Sequence, residues 1–328
     1  MKASPAGRAE DLNPPGPLGG FGRMGVQCPT MKKTQIFVLM LSLALFPSII
    51  LAAEHTKHVD ANGYTFTYVE AGKGEPVIVV HGALADYRSE AEVAERLATR
   101  FHVIRYSRRY HYPDKPTNIS DYSPDVHARD LVAIIRALNL GPVHLVGHSY
   151  GGMVALLAAN SAPDLIRTVT LEEPFPLPSF ASTDPTLHKE RATLVADLRE
   201  KVSAGKSNAA VDEMLGWVRG NDGRLGDSPV QQREMGYENE ATLLPMLTPT
   251  GPPPAFTCEV AQKFSRPSLL LHGEHTRPLY LSVVTRLSKC LPNAELTQIS
   301  NSTHFVNVDN PNESASAILK FLARYSGK

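Results

Sequence analysis

From His55 onward, short apolar runs alternate with amphipathic stretches, and that rhythm restricts the fold more than any other feature of the chain. Runs at 76–80 (Pro-Val-Ile-Val-Val), 102–106, 143–146, 166–171, 268–271 and 294–299 are each four to six residues long. The continuous apolar run at 76–80 suits a strand buried on both faces of a parallel sheet, and the other segments read as short strands beside it. Residues 64–70 instead alternate in the period-two manner of a strand. Helical patterns fill the gaps. They cover 89–100, 125–139 with Leu131, Ile134, Ile135 and Leu138 on one face, an Ala- and Leu-rich stretch from Met153, and one segment after each of the last two runs. Strand and helix in strict alternation predict a mostly parallel α/β sheet.

The stretch 174–266 breaks the rhythm. It is polar, helical in pattern, and bounded by Pro174, Pro176 and Pro178 at one end and Pro252, Pro253 and Pro254 at the other. It reads as an insertion rather than a second domain, and an insertion over strand ends can act as a lid. Its lone Trp217 either lines a pocket or, more plainly, fills a core within the insertion.

The first 53 residues stand apart from the fold. Residues 1–30 are rich in Gly and Pro with no hydrophobic period, and read as an extension ahead of a second start at Met31. Lys32 and Lys33, the apolar run Ile36–Leu51 broken by Pro47, and Ala52-Ala53 then make the three parts of an export signal over 31–53. The expected cut follows Ala52 or Ala53, leaving a 54–328 domain with no stable membrane span, in the periplasm or outside the cell. The alternative is an uncleaved anchor, for which the run is short. No lipid-acceptor Cys sits at the cut. Cys28 falls in the extension, leaving Cys258 and Cys290 as either a disulfide or two separate thiols. Lys plus Arg equals Asp plus Glu, 33 each, and no basic stripe points to a nucleic-acid partner.

Chemistry concentrates at Gly147-His148-Ser149-Tyr150-Gly151, between an apolar run and a helix rich in small residues. A strand entering a helix through so sharp a turn strains its central residue, and glycines on both sides let neighbouring backbone approach. The Ser149 hydroxyl then stands clear of the sheet. A hydroxyl is a weak nucleophile without a base. Of the 12 histidines, His304 in Ser302-Thr303-His304-Phe305 follows the last strand, at the sheet end where sites collect. His148 packs or orients, His81 belongs to a turn, and His272 and His275 have no role in this reading.

With these motifs in order, the chain resembles the α/β-hydrolase superfamily from about Tyr64 to Tyr325. A looser likeness is to a bacterial subgroup carrying Tyr-Ser-Arg-Arg-Tyr-His after the fourth strand, here 106–111. The resemblance implies a mostly parallel eight-stranded sheet with helices on both faces and a helical lid after strand 6. It implies an oxyanion hole built from the backbone N–H groups of Ala83, after His81-Gly82, and Tyr150. The family order of Ser, acid, His fits Ser149 and His304. The usual acid is an Asp in Gly-x-x-Asp after the seventh strand, but here Gly273-Glu274-His275-Thr276 puts Thr276 at that place. Some members take the acid from the end of strand 6, which favours Glu173 in Leu171-Glu172-Glu173-Pro174; Glu172, Glu274 and a bare Ser–His pair remain alternatives.

The function expected is hydrolysis of an ester, thioester or lactone through an acyl-enzyme on Ser149, with a small acyl substrate and neither metal nor organic cofactor. Ser149 in place of an Asp disfavours dehalogenase or epoxide hydrolase chemistry. A C–C bond hydrolase, a haloperoxidase-like enzyme, or a non-catalytic binding protein are the alternatives, the last kept open by Thr276.

Overall fold

The computed structural model describes residues 55–176, 178–180, 184–220, 228–249 and 251–327. The 1–30 extension and the 31–53 export signal lie outside the described residues. Eight strands form one sheet: β1 (Lys57–Ala61), β2 (Tyr64–Ala71), β3 (Pro76–Val80), β4 (His102–Tyr106), β5 (Val143–His148), β6 (Ile166–Glu172), β7 (Ser268–Gly273) and β8 (Ala294–Ile299). Their order is β1-β2-β4-β3-β5-β6-β7-β8. The β1–β2 and β2–β4 pairs are antiparallel, and every pair from β4 to β8 is parallel.

The apolar runs explain this placement. Alternate residues of β3 feed two different cores, as strand geometry requires. Ile78 and Val80 pack in the larger cluster with Leu131, Ile135 and Leu156; Val77 and Val79 pack in the smaller one with Val93, Leu97 and Phe321. The first face is covered by α2 (Pro124–Ala137) and α3 (Tyr150–Ser161), the second by α1 (Ala91–Leu97) and, near the carboxyl terminus, by the helix Pro311–Ala323. Helix α1 is shorter than the 89–100 pattern suggests, because only Val93, Ala94 and Leu97 are buried and Ala98 caps it. Helix α2 begins at Pro124, where the Ser123 hydroxyl accepts from Val126 N and Pro occupies the first turn.

Between β6 and β7 lie α4 (Pro185–Ser203), α5 (Ser207–Val218), α6 (Val230–Glu238), α7 (Leu243–Leu247) and α8 (Cys258–Ala261), the helical insertion expected at 174–266. After β7 comes α9 (Pro278–Cys290), and after β8 come α10 (Val306–Asp309) and α11 (Pro311–Ala323). Cys258 and Cys290 form a disulfide with Cα atoms 5.3 Å apart, tying the return limb of the insertion to the end of α9. Leaving β3, the chain adds β4 on one side and later β5 on the other. Such a reversal opens a crevice beyond the carboxyl ends of the two diverging strands, the usual ligand position in open α/β sheets. Residues 81–83 and 149 lie at that point.

Candidate active site

Ser149 joins β5 to α3 with φ 50° and ψ −118°, a conformation that L-residues rarely adopt. The surrounding backbone forces it. Ser149 N donates to Glu172 O at 2.9 Å, while Phe175 N and Gly152 N donate to Ser149 O at 2.9 and 3.0 Å. A Cβ on Gly151 would sit 2.1 Å from the Val80 carbonyl oxygen, so only glycine lets α3 press this close to β3. The helix starts at Tyr150, three residues before the Met153 expected from its apolar pattern.

The turn after β6 is as constrained. Glu173 has φ 44°, and its N–H donates to Leu271 O at 3.0 Å. Its carboxylate accepts three hydrogen bonds: from His304 Nδ1 at 2.9 Å, Thr276 Oγ1 at 2.6 Å and Gly273 N at 2.8 Å. His304 follows β8 and is 2% exposed, and Glu173 is fully buried. Glu172 is equally buried, but among the described residues neither of its oxygens has a hydrogen-bond partner. Glu274 sits at the rim, where its Oε2 accepts from Asn301 N. Of the three candidate acids, only Glu173 meets the imidazole.

Burial pushes the Glu173 carboxyl up to about 7, and the donors Thr276 and Gly273 pull it back toward the carboxylate. Burial likewise pushes His304 down to about 3, so the ring is neutral near pH 7. A carboxylate oxygen only accepts, which assigns the ring proton to Nδ1 and leaves Nε2 unprotonated. His148, also held neutral by burial, donates through Nε2 to the His304 carbonyl at 3.0 Å, a bond from β5 to the last loop.

Ser149 and His304 line one narrow cavity of about 20 Å³, together with Ala83, Leu84 and Phe305. That is room for about one water molecule. Met214, Leu215 and Val218 of α5 complete its wall. Tyr150 is the first residue of α3, so its N–H has no acceptor within the helix. Among the described residues, neither it nor Ala83 N–H donates to a backbone carbonyl. A Cβ on Gly82 would lie 3.4 Å from Ser149 Cβ, so the 82–83 turn abuts the serine. A larger groove of about 470 Å³ lies away from these residues, between α4 and α5, lined by Thr186, Glu190, Leu194 and Trp217.

Two contacts were not visible in the sequence. Tyr280 of α9 lies against His304, ring centroids 4.1 Å apart and planes 33° from parallel. Trp217 in turn meets Tyr280 at 6.3 Å and the Arg277 guanidinium at 4.5 Å. The tryptophan therefore packs in the apolar core with its insertion neighbours, lines the groove beside α4, and also wedges the insertion against α9. Thr276, which stood in the sequence as a missing acid, is a hydroxyl donor to the acid that is present. Only its spacing from Gly273, read together with Glu173, could have suggested this.

The chain as a whole is similar to known proteins. The model of the alpha/beta hydrolase fold family matches residues 75–311. The 2-(acetamidomethylene)succinate hydrolase of Mesorhizobium japonicum is 25% identical over 295 residues, 83% of this chain and 97% of that protein. The 2-hydroxy-6-oxo-6-(2'-aminophenyl)hexa-2,4-dienoic acid hydrolase of Metapseudomonas resinovorans is 24% identical over 278 residues, covering 82% and 91%. Among solved structures, the carboxylesterase CesB (YbfK) of Bacillus subtilis superposes with a TM-score of 0.67 at 19% identity, covering 88% of this chain and 96% of that one.

Proposed function

The chain belongs to the alpha/beta hydrolase fold family, and from that membership we propose a serine hydrolase that cleaves carboxylic esters, thioesters or lactones through an acyl-enzyme. One observation carries the reading. Ser149, held in a strained turn, shares a narrow cavity with His304, whose Nδ1 is bound to the buried Glu173 carboxylate at 2.9 Å.

The steps follow from the geometry. Ser149 Oγ attacks the substrate carbonyl carbon as His304 Nε2 takes its proton. The developing oxyanion is received by Ala83 N–H and Tyr150 N–H, donors that need no reorganisation because backbone fixes them. Glu173 stabilises the imidazolium, which returns the proton to the leaving group. Water then enters by the same route and releases the acid, restoring the serine. Thr276 supports this reading over that of a non-catalytic binder, because its hydroxyl holds the Glu173 carboxylate.

A cavity with room for one water is too small for an acyl substrate, which supports reading the insertion as a lid whose α5 moves for entry. An exported location fits the Cys258–Cys290 bridge, since such bonds persist in oxidising compartments. The test is a fluorophosphonate probe on the folded protein, with a series of p-nitrophenyl esters of graded acyl length. Labelling at Ser149 and ester turnover, both abolished in Ser149→Ala, are expected. Turnover that survives in Ser149→Ala overturns the proposal.

A further inference from the structure

The segment Tyr106-Ser107-Arg108-Arg109-Tyr110-His111 has no part in the steps above. Arg108 is 1% exposed, yet among the described residues no carboxylate lies within ion-pair distance of it. A buried cation without a counter-charge is costly unless hydrogen bonds replace its lost hydration. Arg108 Nη2 donates to Gly82 O at 2.9 Å and Nη1 to the Tyr122 hydroxyl at 3.3 Å. Its guanidinium carbon lies 4.6 Å from the centre of the Tyr150 ring. Arg108 N donates to His81 Nε2 at 2.9 Å, which leaves the His81 proton on Nδ1, and that nitrogen donates to the same Gly82 oxygen at 2.9 Å. His111 secures the far end of the turn, its Nδ1 donating to Ala85 O at 2.8 Å. The segment is itself pinned, since Arg109 grips Asp130 through two bonds of 2.6 Å.

Gly82 C=O and Ala83 N–H are opposite ends of one planar peptide group, and this one is trans. Donors that hold the oxygen fix the direction of the N–H on the other side. A cation at the oxygen also polarises the amide and makes its N–H a stronger donor. We propose that Arg108 is a positioning residue for the transition state, gripping the Gly82–Ala83 peptide and packing on the Tyr150 ring so that both oxyanion N–H groups are aimed into the cavity. The proposal rests on the reading of Ser149 as nucleophile and of these two amides as its oxyanion hole.

Arg108→Met keeps the length of the stem and removes the grip. Losing a whole oxyanion donor costs about 10²–10³-fold in kcat, and loosening one is expected to cost about 10- to 100-fold, with KM for p-nitrophenyl acetate within about twofold. Affinity for an alkyl trifluoromethyl ketone, whose serine adduct places an oxyanion in the hole, falls by the same factor. A purely structural role would lower Tm without that match between kcat and ketone affinity. Arg108→Lys, which keeps a cation with a single donor nitrogen but not the guanidinium fork, recovers part of both losses, and it carries the test alone if Arg108→Met does not fold: a matched partial loss supports the proposal. Wild-type kcat and ketone affinity in a folded Arg108 variant overturn it. Ser149→Ala separates the two readings. If that variant still turns over ester, the hydrolase reading has failed. If it is inert while the Arg108 variants are unimpaired, only the role of Arg108 has.

Discussion

Glu173→Gln exposes the proposed mechanism most directly, because the change is nearly isosteric and its consequences can be worked through atom by atom. The carboxylate accepts from His304 Nδ1, Thr276 Oγ1 and Gly273 N, and a glutamine offers only one oxygen. If that oxygen faces Gly273, the amide NH₂ faces Nδ1, and the imidazole must carry its proton on Nε2, where it cannot act as a base. If the oxygen faces Nδ1 and Thr276, two donors confront each other at Gly273 in a buried space. Either way the charge opposite the developing imidazolium is gone. With N and O 2.9 Å apart, the charge centres are separated by about 4 Å. At an effective dielectric of about 20 that attraction is about 4 kcal/mol, or about a 10³-fold loss in kcat. KM should move by less than about threefold. The fold should not suffer, because burial already pushes this carboxyl up to about 7 and a neutral amide escapes that penalty. Steady-state kinetics with p-nitrophenyl acetate at pH 8, beside a thermal melt, measure all three. A folded Glu173→Gln protein with kcat near wild type would refute the reasoning. Glu274→Gln is the control and should change kcat by less than about twofold, since the exposed Glu274 carboxylate accepts from Asn301 N and, among the described residues, makes no bond to His304.

Thr276→Val removes the hydroxyl that bonds Glu173 Oε2 and helps keep the carboxyl ionised. Removing that donor raises the Glu173 value further, so the acid limb of kcat/KM should move to higher pH and kcat fall about tenfold, whereas Thr276→Ser should restore both; a pH–rate profile unchanged in the valine variant contradicts this. Glu172→Gln concerns stability. Burial and the neighbouring Glu90 raise the Glu172 carboxyl well above its ordinary 4.5, so the folded state holds this proton more tightly than the unfolded chain does. Its contribution is then complete below about pH 4.5 and is lost as pH rises toward the folded value. The glutamine variant, which cannot ionise, should gain on wild type by up to about 1.4 kcal/mol per pH unit in that window; urea melts at pH 5, 7 and 9 read the gain, and a difference constant with pH contradicts it.

How much of the fold could be read from the chain depends on where burial was hydrophobic. β3, β5 and β7 announce themselves as apolar runs because helices cover the sheet on both faces, whereas β8, at the sheet edge, is half-exposed and shows itself mainly by its place between two helices. β1 carries no such mark: it is an edge strand with Lys57, His58 and Asp60 exposed, held through its backbone pairing with β2. β5, β6 and β7 each run one or two residues beyond the apolar pattern, through Gly147-His148, Glu172 and His272-Gly273. Those ends are buried but polar, so hydrophobicity could not reveal them, and they carry the site. Ser149 and His304 were legible because each sits in a local pattern of strand, turn and helix. Arg108 and His111 stood out as a motif but kept their role hidden, since their partners are the carbonyls of Gly82 and Ala85, 26 residues away in each case and without a side-chain signature.

The acid is the instructive case. An imidazole on the loop after β8 can be met by a carboxylate from any neighbouring strand end that reaches it. β6 and β7 run side by side with Glu172 paired to Leu271, so Glu173, one residue past that pair, arrives beside Gly273 from the adjacent strand. Once it is there, an Asp at 276 would set a second negative charge against the first in a buried space, and one of the two would have to stay protonated. A threonine avoids the conflict and adds a donor. Thr276 and Glu173 are therefore complementary halves of one arrangement. Thr276→Asp alone should impair the site rather than repair it, because it replaces the donor at 2.6 Å with a repelling acceptor. A single motif read in isolation sees a missing acid, whereas the two strand ends taken together give a carboxylate with three donors around it.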